Sequence, residues 1–209
     1  MKTKLAVSNL ETVVYKELLV YSEKPLTLLI SGGSILRILE CATISQLDKK
    51  EWTVFFADER LVPLADPLSN YKDAERFLQG VGTVHPYNTA LSREEMVGEY
   101  KELLQNAKVD LAFLGIGEDG HIASIFPESP TIDSTDIVTV ITDSPKPPSE
   151  RVTVTPRLLT MIKRIVFLIP RLPNGLIKNV SEPHFSILSR VNTDIVIASI
   201  DPLTEPSTG

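Results

Sequence analysis

The sequence predicts an α/β fold, built on a largely parallel sheet with helices on both faces. Short apolar runs, such as residues 27–31 and 109–114, are typical of strands that are buried on both faces. Stretches of helical period separate these runs, which is the alternation that a parallel sheet requires. A chain of 209 residues has the length of one ordinary domain. We therefore predict a single Rossmann-like domain over residues 1–200, followed by a frayed polar tail over residues 201–209.

The strands are predicted from apolar runs bounded by turn residues. In chain order they lie at residues 27–31, 52–57, 109–114, 136–142, 151–155, 164–169 and 194–199. Three prolines in residues 144–148 predict an irregular loop before the strand at 151–155.

Helices are predicted where apolar residues recur at three- and four-residue spacing. Ser92 and Glu95 add a Ser-x-x-Glu capping pattern, in which each residue satisfies a free backbone amide of the first turn. The predicted helices cover residues 35–42, 70–78, 92–105 and 183–190, with a short one begun by Pro156.

Composition narrows the class of function. The net charge of −6 argues against nucleic acid as the main partner, because phosphate backbones attract basic surfaces. No apolar run approaches the ~18 residues of a membrane span, and the first nine residues hold too few apolar side chains for a signal-peptide core. We predict a cytoplasmic protein without a membrane partner, and we expect a monomer. Cys41 is the only cysteine, and we predict a buried structural thiol.

Three polar segments directly follow predicted strands, and each is a candidate for function. They are residues 31–34, 58–60 and 115–121. Ligands of open parallel sheets bind outside the carboxyl ends of the strands, so we expect these segments to meet in one site. Because the chain is acidic overall, an anionic ligand there needs a local cluster of cations and backbone amides.

Residues 31–34, Ser-Gly-Gly-Ser, are suited to an anion. Gly32 and Gly33 let the backbone turn tightly, and the helix that follows offers unpaired amides and a partial positive end. The alternative interpretation is a simple strand-to-helix turn with Ser34 as the N-cap.

Residues 58–60, Asp-Glu-Arg, add a cation. The guanidinium of Arg60 is a planar fork of donors that matches a phosphate. The alternative is a solvated charge cluster that pairs internally, but the position at a strand end favours function.

Residues 115–121 are the most informative segment. His121 follows three glycines at the start of a predicted helix, and neutral imidazole is the usual general base near neutral pH. The alternative is a histidine that caps a helix or packs in the core. We assign the other two histidines, His85 and His184, to structure or solvent.

The same segment contains Gly-x-Gly-x-x-Gly, the spacing of a dinucleotide-binding turn. An acidic residue is expected at a strand end ~20 residues further on, and Asp136 and Asp143 fit that position only approximately. The sequence therefore disfavours nicotinamide binding.

These motifs together resemble a known family. They are SGGS at residues 31–34, ADER at 57–60 with SNY at 69–71, GIGEDGHIASIFP at 115–127, and DSPKPP at 143–148 with Arg151. In this order, over roughly residues 27–170, the chain is similar to the 6-phosphogluconolactonase family.

Glucosamine-6-phosphate deaminases share the sheet and a similar histidine loop, but they typically continue it with Phe-Asn-Glu-Pro. This chain has Ser-Ile-Phe-Pro at residues 124–127, the lactonase form. It departs from the lactonase pattern at residues 35–36, where Thr-Pro is usual, and at Ile122, where threonine is usual. The lysine that usually follows the strand at 164–169 is missing, and Arg171 or Lys178 could replace it.

The resemblance implies hydrolysis of 6-phospho-D-glucono-1,5-lactone to 6-phospho-D-gluconate in the pentose phosphate pathway, without metal or organic cofactor. His121 would activate water, and Asp119 or a backbone carbonyl would orient its ring. Amides of Gly32 and Gly33, or of the loop near Gly120, would stabilise the developing oxyanion.

Arg60 and Arg151 would hold the phosphate, with Lys146 as a further contact. The other substrate-binding residues implied are Ser34, Asp58 and Asn70. The alternatives are a glucosamine-6-phosphate deaminase or isomerase, and a sugar-phosphate sensor without catalytic activity.

Overall fold

The computed structural model describes residues 2–117, 119–127, 129–170, 187, 191 and 194–199. In these residues the strands are β1 (Lys2–Ala6), β2 (Leu26–Ile30), β3 (Trp52–Phe56), β4 (Asp58–Arg60), β5 (Thr83–His85), β6 (Leu111–Gly115), β7 (Val138–Ile141), β8 (Arg151–Val154), β9 (Arg164–Ile169) and β10 (Asp194–Ser199). The α-helices are α1 (Leu10–Leu19), α2 (Ser34–Leu39), α3 (Ala42–Ser45), α4 (Asn70–Asp73), α5 (Glu75–Leu78), α6 (Arg93–Asn106) and α7 (Pro156–Leu159), and Pro130–Asp133 forms a 3₁₀ turn.

Seven strands form the central sheet, in the order β1-β10-β9-β6-β2-β3-β5. Every neighbouring pair in it is parallel. The predicted α/β fold with a largely parallel sheet is therefore confirmed. The inner strands β6 and β9 are almost wholly buried apolar runs, as parallel strands covered on both faces must be.

The direction of winding changes at β2. The chain leaves β2 for β3 on one side and later returns through α6 to β6 on the other side. The carboxyl ends of β2 and β6 therefore flank a topological switch point, where loops diverge and leave a crevice for a ligand.

Helix α6 shows how the amphipathic pattern supports this sheet. Met96, Tyr100 and Leu104 recur at four-residue spacing and are all buried. The hydroxyl of Tyr100 accepts from the backbone N–H of Phe56 at 2.7 Å and lies 3.1 Å from the carbonyl oxygen of His85. This one side chain therefore fixes the ends of β3 and β5 against the helix.

A second sheet of three antiparallel strands, in the order β4-β8-β7, was not predicted. The charged segment 58–60, predicted as a strand-end turn, is itself strand β4, and Arg60 pairs with Arg151 across the ladder. The predicted strands at 136–142 and 151–155 also belong here rather than to the parallel sheet. The backbone N–H of Val154 donates to the carbonyl of Ala57, so the small sheet continues directly from the end of β3.

Two strands of the central sheet, β1 and β5, were missed. Both are edge strands, which pair on one side only. Edge strands need no continuous apolar run, so the pattern that revealed the inner strands is absent from them.

The helix ends differ from the prediction in two places. The helix predicted at 35–42 ends at Leu39, because Cys41 adopts an extended backbone and caps a separate helix, α3. The helix predicted at 70–78 breaks at Ala74 into α4 and α5. By contrast, the capping box at Ser92 and the short helix at Pro156 are present as predicted.

Cys41 is only partly buried, with its Sγ 3.2 Å from the hydroxyl of Thr43, so the prediction of a buried thiol was wrong. The predicted helix at 183–190 lies outside the described residues apart from Ile187, which is helical and buried. The predicted tail at 201–209, His184, Arg171 and Lys178 also lie outside them.

No helix in the described part of the chain is long and apolar enough to cross a membrane.

Candidate active site

A cleft of about 220 Å³ opens at the switch point, between the carboxyl ends of β2 and β6. All three segments singled out in the sequence contribute to it. The predicted residues that line the cleft are Gly32, Gly33, Ser34, Asp58, Arg60, Asn70, His121 and Arg151. Three segments that are far apart in the sequence therefore meet in one cleft.

The turn after β2 has a conformation that glycine favours. Gly33 has φ 73° and caps α2 through its backbone, so the alternative in which Ser34 is the N-cap is wrong. The neighbouring Gly32 packs against Asn70, and a Cβ on Gly32 would lie 2.0 Å from its Oδ1. The buried hydroxyl of Ser31 accepts from the backbone N–H of Gly115 at 3.1 Å, which ties β2 to β6 below the cleft. Gly32 and Gly33 thus present their backbone to the cleft.

His121 does not begin a helix, as was predicted. It closes a tight loop in which the N–H of Gly117 donates to the carbonyl of His121 at 2.8 Å. The chain then reverses again, with paired backbone hydrogen bonds between Ile122 and Ile125. Within this second turn Ala123 has φ 53°, a left-handed conformation that costs a non-glycine residue about 1 kcal/mol. Short-range backbone hydrogen bonds, rather than a helix, therefore fix the loop that carries the imidazole.

The imidazole of His121 is paired with a carboxylate. Oδ1 of Asp119 is hydrogen-bonded to Nδ1 of His121 and also accepts from the backbone N–H of His121 at 3.3 Å. A carboxylate at Nδ1 favours the tautomer with hydrogen on Nδ1, which leaves Nε2 as the basic nitrogen. The ring lies tilted by 32° against that of Phe126, with the two centroids 4.9 Å apart. Gly117 leaves room for it, since a Cβ there would lie 2.0 Å from Cε1 of His121.

The charge state of Asp119 follows from these contacts. Burial alone would raise the pKa of Asp119, but the hydrogen bonds from His121 and the charges of His121 and Lys146 outweigh it. The pKa of Asp119 therefore lies below its usual value, and the group is a carboxylate at neutral pH.

A second network connects the histidine loop to the glycine turn. The carboxylate of Asp58 accepts from the hydroxyl of Ser124 at 2.6 Å and from the amide of Asn70 at 3.4 Å. The same amide donates to the backbone carbonyl of Asp58 at 2.9 Å. All three side chains are buried, so this network fixes the floor of the cleft.

Glu59 anchors the loop that carries Asn70. Its carboxylate accepts from the backbone N–H groups of Arg60, Asn70 and Tyr71 and from the hydroxyl of Ser69, at 2.7–2.9 Å. Burial raises the pKa of Glu59, although these four hydrogen bonds act to lower it. Glu59 is thus a structural residue inside a triplet that sequence analysis treated as a binding segment.

The guanidinium of Arg60 has a buried donor without a hydrogen-bond partner. Its Nη1 donates to the carbonyl of Leu68, whereas Nε is buried without a hydrogen-bond partner. Among the described residues, only two other buried side-chain atoms are unpaired in this way, Oδ1 of Asn70 and the hydroxyl of Tyr87. Two of the three therefore belong to residues that line the cleft, as expected where a polar ligand completes the hydrogen bonds.

Not every predicted residue lines the cleft. Asp119 and Lys146 contact the imidazole without lining the cleft, and Gly120, with φ 85°, shapes the loop that carries His121. His85 stacks on Phe55 at 4.7 Å, in keeping with the structural assignment, and burial lowers its pKa. Ser31, Ser124 and Glu59 support the site but were not predicted as site residues. Ser124 stands within the 115–127 motif, which was the signal available.

The fold and the cleft define an α/β protein with a ligand site at the switch point of a parallel sheet. Residues 5–170 match the family described as glucosamine-6-phosphate isomerases/6-phosphogluconolactonase, and the chain belongs to this family.

Two curated relatives bear the lactonase name. A probable 6-phosphogluconolactonase 4, chloroplastic, of Oryza sativa is 39% identical over 154 aligned positions, which cover 62% of this chain and 48% of the relative. A putative 6-phosphogluconolactonase of Caenorhabditis elegans is 35% identical over 198 positions, which cover 81% of this chain and 74% of the relative. The chain thus spans about half the length of the first of these relatives.

The crystal structure of 6-phosphogluconolactonase from Thermotoga maritima shares the fold, with a TM-score of 0.79 over 95% of this chain and 100% of that one. The two sequences are 23% identical.

Proposed function

We propose that the protein hydrolyses 6-phospho-D-glucono-1,5-lactone to 6-phospho-D-gluconate, a step of the oxidative pentose phosphate pathway. The main support is that His121, the Gly32–Gly33 turn and Arg60 line one cleft. Asp119 is hydrogen-bonded to the imidazole of His121. A base, a turn suited to an anion and a cation with an unpaired Nε donor are groups that fit a phosphorylated lactone. The lactonase names of the relatives support this substrate class.

His121 acts as the general base. Its Nε2 takes a proton from water while the water oxygen attacks C1 of the lactone. Asp119, a carboxylate at neutral pH, stabilises the imidazolium that forms. The tetrahedral intermediate then breaks the bond between C1 and the ring oxygen, and the imidazolium returns the proton to that oxygen. Water has been added across the ester bond, and no other reactant is consumed.

Backbone amides stabilise the charge that develops on the carbonyl oxygen. Those of Gly32 and Gly33, or of the loop near Gly120, are the candidates, because donors fixed before the reaction need no rearrangement during it.

The phosphate is assigned to Arg60. The sequence suggested that Arg60 and Arg151 share it, with Lys146 as a further contact. However, Arg151 directs its donors mainly at backbone carbonyls, whereas Arg60 has a buried Nε without a partner. Asp58 and Asn70 position the cleft floor, and exposed Ser34 offers a hydroxyl at its rim.

A lactonase assay tests the proposal directly. Freshly generated 6-phosphogluconolactone is supplied, and acid release is compared with the spontaneous hydrolysis rate. Acceleration that is lost in His121→Asn supports the proposal. Binding of 6-phosphogluconate without any acceleration would instead indicate a sensor, and the enzymatic proposal would be wrong.

A second candidate is an amino-sugar-phosphate isomerase or deaminase, because the matching family includes both activities. Ammonium release from glucosamine 6-phosphate distinguishes it from the lactonase. The sequence favours the lactonase, since residues 124–127 read Ser-Ile-Phe-Pro.

We further propose that the protein works as a cytoplasmic monomer on this small molecule. The net charge of −6 supports the absence of a nucleic-acid partner. Cell fractionation and sedimentation of the purified protein test the location and the oligomeric state separately.

A further inference from the structure

We propose that Lys146 is a positioning residue that acts on the Asp119–His121 pair, and that Arg151 holds Lys146 in place. This inference rests on the proposed function for its kinetic consequences. The geometry of the four side chains carries it.

Arg151 braces the loop at residues 144–148. Only 5% of its surface is exposed, and it begins strand β8. Its Nε donates to the carbonyl of Pro148 at 3.0 Å, and its Nη2 donates to those of Lys146 and Pro147 at 2.9 and 3.3 Å. Three consecutive carbonyls are thus bound by one rigid guanidinium, which leaves little freedom for the loop.

Other contacts close the same loop from within. The hydroxyl of Ser144 donates to the carbonyl of Lys146 at 2.8 Å and accepts from its N–H at 3.2 Å. The N–H of Ser144 also donates to the carbonyl of Ser149 at 3.1 Å. The backbone of Lys146 is therefore fixed although its side chain is 45% exposed.

The ammonium of Lys146 lies against the back of the catalytic pair. Its Nζ is 3.5 Å from Oδ2 of Asp119 and 3.5 Å from Nδ1 of His121. Asp119 thus engages His121 through one oxygen and Lys146 through the other, so Lys146 restrains rotation of the carboxylate. Because Nδ1 carries the hydrogen bonded to Asp119, its interaction with the ammonium is a repulsion between donors.

The repulsion has a direction. A fixed positive charge beside the ring disfavours the imidazolium and favours the neutral base. Asp119 acts in the opposite sense, and the remaining charged groups at the cleft are Asp58, Arg60 and Arg151. Of the cations, Lys146 is the one with an atom 3.5 Å from the ring. His121 therefore lies between two opposing charges: the carboxylate of Asp119 favours the imidazolium, and the ammonium of Lys146 disfavours it.

The test is to remove the charge. In Lys146→Met we expect the acid limb of the kcat/KM profile, and the NMR titration of His121, to move to higher pH, because the positive charge beside the ring is removed. Lys146→Arg restores the charge and should titrate like the wild type. Lys50→Met is the matched control, because that lysine is 83% exposed and far from this loop in sequence. The His121 signal is identified among the three histidines by its loss in His121→Asn.

Arg151→Lys tests the brace. If Arg151 acts through Lys146, the variant shows the same shift as Lys146→Met, and the double variant shows no more than either alone. Because Arg151 is buried, Ser144→Ala serves as a milder variant of the same loop, with a smaller shift in the same direction.

Unchanged His121 titration in Lys146→Met, with only a raised KM, would overturn the inference and make Lys146 a substrate contact. The NMR titration needs no turnover. A wild-type protein without lactonase activity therefore refutes the proposed function while the positioning role is still measured.

Discussion

A Cβ on Gly32 would stand 2.0 Å from Oδ1 of Asn70, so the glycine turn passes directly over a buried amide. Asn70 cannot move aside cheaply, because its Nδ2 is bonded to the carbonyl of Asp58 at 2.9 Å. The turn, the amide and the strand that follows β3 are therefore packed as one unit.

Gly32→Ala tests this packing. We expect the variant to lower the free energy of unfolding by about 1–3 kcal/mol, as overpacking does, and to abolish turnover by displacing the turn. Gly98→Ala is the control, because a Cβ at that helical position meets nothing within 4 Å. It should raise the stability by about 0.5–1 kcal/mol. Denaturant unfolding of both variants, with lactonase assays, measures the difference; equal stabilities would contradict the packing argument.

His121→Ala tests the base. We expect kcat to fall by about 100- to 10,000-fold, the usual contribution of a general base, with a much smaller change in KM. Asp119→Asn should also lower kcat, because the amide no longer holds hydrogen on Nδ1. Near-normal turnover in His121→Ala would rule out the proposed base.

Arg60→Met tests the phosphate site. Loss of a charged hydrogen bond of about 1.5–3 kcal/mol should raise KM about 10- to 100-fold and change kcat less. Arg93→Met is the charge-matched control, because Arg93 forms an exposed ion pair with Glu150. Steady-state kinetics compare the two. If the two variants have the same KM, Arg60 does not bind the phosphate.

Glu59→Gln tests the anchor of the Asn70 loop. The carboxylate accepts four hydrogen bonds, and the amide of glutamine would direct hydrogens at some of these donors. We expect a loss of stability of about 1–3 kcal/mol, measured by denaturant unfolding. Glu75→Gln, at an exposed ion pair with Lys72, should lose well under 1 kcal/mol.

Lys49 provides a pH test of stability. Its Nζ donates to the carbonyl of Phe77 in a buried position, and burial lowers its pKa below 10.5. As the pH rises from the folded-state pKa to the unfolded value, the native state has already lost the proton that the unfolded state still binds, so stability rises. Relative to Lys49→Met, the wild type should therefore gain stability towards pH 10.5. The exposed Lys50→Met should show no such trend against the wild type in parallel melts.

The sequence predicted well what local patterns encode. The capping box at Ser92, the helix begun by Pro156 and the buried strand β9 each depend on residues a few positions apart. The convergence of Gly32, Arg60 and His121 was also predictable, because parallel strands place their carboxyl ends at one edge of the sheet.

The errors have different physical causes. Strand β4 exists because it pairs with β8, where Arg60 lies opposite Arg151, and no local pattern encodes a ladder between segments so far apart in the sequence. The loop around His121 resembles a helix start in sequence, yet the backbone bond from Gly117 closes it. The donors of Arg151 were assigned to a ligand because its carbonyl partners depend on how residues 144–148 fold back.

The placement of β1 beside β10 has a consequence for biosynthesis. Lys2 is paired with Ile195, so β1 leaves the ribosome long before its neighbour β10 exists. Closing so long a stretch of chain is entropically slow, and until then one edge of the nascent sheet stays open to other chains. Chaperone dependence should therefore fall once β10 has been translated, and a nonsense mutation just before β10 would leave an aggregation-prone product.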